Sequence, residues 1–90
     1  MPSFVDKHAM VQRWEAIYRH GRNPEAVAGS IFEVLPHANH ELADERLLPL
    51  SFLQSSEVSF PHRAQERMCA LVVNFLTIHV PAKQSKSAVL

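Results

Sequence analysis

Two histidines three residues apart, His37 and His40, are followed at once by Glu41, with Asp44 and Glu45 one turn further on. Imidazole and carboxylate are ligands that zinc accepts, and a helix brings residues three or four apart onto one face. The local sequence opposes that reading. Pro36 comes just before His37, and Asn39 is a natural helix cap, so His37 falls outside the helix that carries His40 and Glu41. The His-Glu-x-x-His pattern of zinc hydrolases is absent from the sequence, and no second cluster supplies further ligands at a recognised spacing. The segment therefore reads as a polar turn into a helix, its acidic residues placed where the dipole favours negative charge. Metal binding through His37, His40 and Glu41 stands as a competing function, and no cofactor is expected.

Cys69 is the only cysteine. A reactive thiol needs an electropositive, part-exposed setting. Cys69 instead lies inside an apolar helical stretch, where it serves as a small core hydrophobe. The sequence holds no glycine-rich phosphate loop, no Gly-x-Ser-x-Gly elbow and no convincing pair of carboxylates. A non-enzymatic protein is expected.

Arg19, His20 and Arg22 gather where one helix ends and the next begins, a corner able to hold a phosphate or carboxylate. Two helices joined by a short turn also describe a helix-turn-helix unit, so DNA binding through this corner is the first alternative function. The second helix, however, carries Glu25 and Glu33 and no lysine or arginine with which to read base edges. The basic residues read more simply as complements to a helix C-terminus. His79 occupies the last turn of the final helix, where an imidazolium is favoured; a pH-sensitive contact is the sharper alternative. Trp14 and Tyr18, four apart, fit a core stripe better than a binding hot spot. The closing Ala-Val-Leu is a possible carboxy-terminal ligand that the sequence does not otherwise support.

The elements that must carry these residues are helical. Met10, Val11, Trp14, Ile17 and Tyr18 share one face of a first helix, with Ser3 as its expected cap and Gly21 at its left-handed end. Asn23 caps a second helix with Pro24 at its first position; Val27, Ala28, Ile31, Phe32, Val34 and Leu35 line it, and Pro36 ends it. A third is expected from Asn39 to Pro49. Residues 49–60 read as a helical turn plus loop, the alternative being a small hairpin around Ser55 and Ser56. The fourth and longest helix is capped by Ser59 or Phe60 and runs from Pro61 to Val80. Its apolar residues cover more of its circumference than one neighbouring helix can bury.

Ninety residues with 47% hydrophobic content, two glycines and six prolines suit one domain of helices joined by short turns. Nine acidic and nine basic residues cancel to a formal charge of +0, so no global field draws the chain to nucleic acid or an anionic membrane. The run Met-Cys-Ala-Leu-Val-Val-Asn-Phe-Leu-Thr-Ile-His-Val is too short to span a bilayer, the N-terminus lacks a signal-peptide pattern, and one cysteine needs no oxidising compartment. The expectation is a cytoplasmic all-α protein: a compact bundle or orthogonal array of about four helices over residues 1–80, the C-terminal helix long and central, followed by a flexible tail over 81–90. Its expected function is a small protein-interaction module, regulator or adaptor, that forms a homodimer. The expected interface on the last helix comprises Met68, Val72, Val73, Phe75, Leu76 and His79.

Overall fold

Asp6 caps the first helix. Its carboxylate accepts a hydrogen bond from the Ala9 amide at 3.0 Å, which satisfies one of the free N–H groups at the start of α1 (Lys7–Gly21). This corrects the expectation of a cap at Ser3. The structure, a computed structural model, describes residues 6–35 and 43–79, so Ser3 lies outside the described residues. The far end of α1 is displaced by one residue as well. Gly21 stays helical, and it is Arg22 that turns left-handed, with φ 53 and ψ 34, its amide donating to the Tyr18 carbonyl at 2.6 Å. A side chain in that conformation costs about 1–2 kcal/mol relative to right-handed backbone. Arg22 recovers part of this by placing its guanidinium 5.9 Å from the centre of the Tyr18 ring.

The second helix, α2 (Pro24–Val34), follows its sequence signals closely. Asn23 is extended and its side-chain oxygen accepts from the Glu25 amide at 3.0 Å, with Pro24 in the first turn where its missing N–H is harmless. Val27, Ala28 and Ile31 have no exposed surface, and the helix stops just before Pro36. Because the Asn23 cap fixes both the start of α2 and the angle of the α1–α2 turn, Asn23→Ala is expected to destabilise the protein by about 1 kcal/mol. A thermal melt should show this as a fall of roughly 4–8 °C, the scale for a domain of this size.

The third helix departs most from expectation. α3 (Ala43–Leu53) does not end at Pro49 but passes through it. A proline inside a helix removes one backbone bond and crowds the preceding turn. Here Pro49 is itself fully buried, and continuing the helix carries Phe52 and Leu53 into the core, at 6% and 0% exposure. Burial of those two side chains outweighs the lost bond. The expected start at Asn39 lies outside the described residues. Beyond Leu53 the chain makes a turn, closed by Ser55 donating its amide to Phe52 and Val58 donating its amide to Ser55. Among the described residues no strand forms, so the hairpin alternative is not realised.

The last helix, α4 (His62–His79), is the longest. Its first backbone acceptor is Pro61, whose carbonyl receives the Gln65 amide at 2.9 Å. The cap is therefore Pro61, rather than Ser59 or Phe60. α4 lies along α2 and against α3, while α1 packs on α2 and α3. Two pairs set the direction of α2 and α4: Glu25 meets Arg67 and, further along both, Phe32 meets Phe75. The two helices therefore advance the same way. Trp14, Val27, Ile31, Leu53, Met68 and Val72 meet with no exposed surface. The result is a small all-α bundle whose core draws on every helix.

Candidate interaction surface

Helix α4 presents two apolar sides. Ala64, Met68 and Val72, spaced by four, form the inner one and belong to the common core. Val73, 48% exposed, is the centre of an outer strip that Cys69 and Leu76, four before and three after it, only edge, since both are part-buried and packed against the core. Met68 and Val72, at 0% exposure, cannot face a partner while the chain is folded, and the expected interface is corrected accordingly. Of the original set, Val73, Phe75, Leu76 and His79 retain accessible surface. Two exposed residues missing from that set join them, Leu47 at 49% on α3 and Ile78 at 60% near the end of α4. The sequence hides Leu47 because it sits beside Leu48, and adjacent leucines do not reveal which of them turns inward.

The end of α4 is aromatic. The Phe32 and Phe75 rings stack at 4.4 Å with 9° between their planes, and the His79 ring lies 4.3 Å from Phe75 at 38°. His79 thus extends an aromatic column that starts on α2, with its own outer face exposed. Such a column holds the last turn of α4 against α2 through ring contact as well as backbone bonding.

The basic corner at the end of α1 lies at the surface. Arg19, His20 and Arg22 are all exposed. Glu15, one turn before Arg19, carries its carboxylate on the same side of α1. Glu25 opens α2 and pairs with Arg67 at 3.0 Å, an ion pair that ties α2 to α4. The Arg67 hydrogen bond holds the Glu25 carboxyl below its ordinary value. Lys7, 2.9 Å from Glu57, does the same for that carboxyl. Whatever either pair adds to stability is present above the ordinary carboxylate range and lost as pH falls through the lowered value. Both pairs are exposed, which keeps that addition small.

Cys69 is part-buried, and burial pushes its thiol pKa up, so it stays protonated and is a poor nucleophile. His37, His40 and Glu41 lie outside the described residues. Among the described residues no group of three or more histidine, cysteine or acidic side chains is placed to hold a metal ion. Also among them, no helix is long and apolar enough to cross a membrane.

Comparisons with protein family models, with curated proteins and with solved structures find no match to this chain.

Proposed function

We propose that this chain is a small, non-enzymatic helical interaction module of the cytoplasm, a regulator or adaptor that self-associates as a homodimer through the outer strip of α4. The observation that supports it is the exposure of Val73 between Cys69 and Leu76, on a helix whose inner side is already fully engaged. A 3-and-4 spacing of apolar residues is the pattern by which one helix packs lengthwise on another. Leu47 on α3 and Ile78, five residues past Val73 and so on another side of α4, are exposed separately from this strip. The contact is modest. Val73 with its part-buried neighbours Cys69 and Leu76 falls well short of the roughly 800 Å² per partner of a standard interface. The dimer is accordingly a weak one that forms as concentration rises.

Light scattering from micromolar protein upwards tests this. The mass should climb from monomer towards dimer, and Val73→Glu should hold it at the monomer value while leaving the melting temperature within a degree or two. A carboxylate on an exposed position costs the monomer little, but in an apolar contact it would be stranded. Association that survives Val73→Glu would remove the outer strip from consideration. DNA binding through Arg19, His20 and Arg22 is the weaker reading, because α2 beside them carries Glu25 and Glu33 and no lysine or arginine.

A further inference from the structure

We propose that residues 54–61 form a latch on α1, a strap that lifts as a unit while the four helices stay packed. The strap lies along α1 and is fastened at successive points. Lys7 binds Glu57 at 2.9 Å, and Glu15 accepts from both the amide and the hydroxyl of Ser59 at 2.9 and 2.8 Å. Beyond them Phe60 meets the Tyr18 ring edge-on at 5.6 Å. Every polar fastening is at the surface, and Glu57 and Ser59 are exposed. At Ser59 and Phe60 no helical or strand ladder holds the backbone, so the Ser59 amide depends on the Glu15 carboxylate.

The ends of the strap are anchored differently. At one end Gln65 of α4 donates its side-chain amide to the Leu53 carbonyl, and Leu53 is fully buried. At the other, Pro61 is built into the first turn of α4. A segment with firm ends and surface fastenings opens in the middle without unzipping the helices on either side. Lifting it hands Val58, Phe60 and one side of Tyr18 to solvent, all three being part-buried against the core when it is closed. The two hydrogen bonds to Glu15 decide the balance, because they are charge-assisted and meet on a single side chain. Self-association through α4 is a separate matter, and the latch does not depend on it.

Native-state hydrogen exchange on the full chain, residue by residue in low urea, tests the latch. The Ser59 amide should exchange at a rate that rises only shallowly with urea, since lifting exposes just Val58, Phe60 and one side of Tyr18, whereas the Val72 amide should speed up steeply as global unfolding is promoted. Glu15→Ala should raise the Ser59 rate about tenfold, whereas Ile31→Val, which weakens the core that the lifted strap leaves intact, should speed Val72 and leave Ser59 unchanged. A Ser59 rate that rises with urea in step with Val72 would overturn the proposal. So would an Ile31→Val variant that accelerates both amides equally, which would make the strap part of the global fold.

Discussion

Trp14→Ala is expected to destabilise the protein by about 3–5 kcal/mol, the scale for truncating a large buried aromatic. A chain of this length has roughly 5–13 kcal/mol in total, at about 0.05–0.15 kcal/mol per residue. Trp14 has no exposed surface and lies 6.3 Å from Phe52, centre to centre, so its loss opens a cavity between α1 and α3. Urea denaturation followed by circular dichroism should give a much lower midpoint, or a chain already partly unfolded in buffer. Trp14→Phe separates two contributions. The indole N–H is buried without an acceptor among the described residues, a situation that costs about 1–3 kcal/mol. Phenylalanine removes that group along with part of the ring. The two changes oppose each other, and the net loss is expected to be less than half that of alanine. A Trp14→Phe loss equal to the alanine loss would mean that a phenyl ring recovers none of the packing at this position.

Much of the fold was legible because several helix ends are written in residues whose backbone options are few. Asn23 followed by Pro24 starts α2 where expected, and Pro36 ends it, since a proline restricts the residue before it. In both misplacements the residue with the stronger local preference did not set the boundary. Gly21 is the better residue for a left-handed position, yet α1 runs one residue further and Arg22 takes the strain. Pro49 reads as a stop, yet α3 continues because Phe52 and Leu53 must reach Trp14 and the rest of the core. Periodicity ranks local preference, and a bundle overrides it wherever burial contributes more than a single backbone bond.

The surface was harder to read than the core. The basic corner looked coherent in sequence because Arg19, His20 and Arg22 are close along the chain. Its acidic neighbour Glu25 is engaged from α4, a pairing that only the packing reveals. The Glu15–Ser59 contact joins residues 44 apart in sequence, and no local pattern announces it. On α4 the sequence showed too much apolar surface for one neighbour. It did not show which part turned outward.

That division on α4 predicts a large difference between two residues only five apart. Met68→Ala should destabilise the protein by about 2–5 kcal/mol, because Met68 is fully buried and its neighbours cannot all collapse into the space. Val73→Ala should fall within about 0.5 kcal/mol of the parent, or slightly above it, because Val73 is half exposed and alanine is the better helix former. Five residues turn a helix through roughly 140° beyond a full circle, which is enough to move a side chain from the core to solvent. Measured by thermal melting, the two substitutions should differ by roughly 8 °C or more, at the ordinary conversion for a domain of this size. Equal losses would mean that both sides of α4 are covered in the isolated chain, leaving no outer strip for a partner. The reverse order would require α4 to be rotated about its own axis, and with it the Phe32–Phe75 stack and the Glu25–Arg67 pair would have to be given up. Since both of those contacts join α4 to α2 on the side next to Met68, the helix has little freedom to turn. The contrast between Met68 and Val73 therefore tests the packing of the bundle and the accessibility of its proposed binding surface with a single pair of proteins.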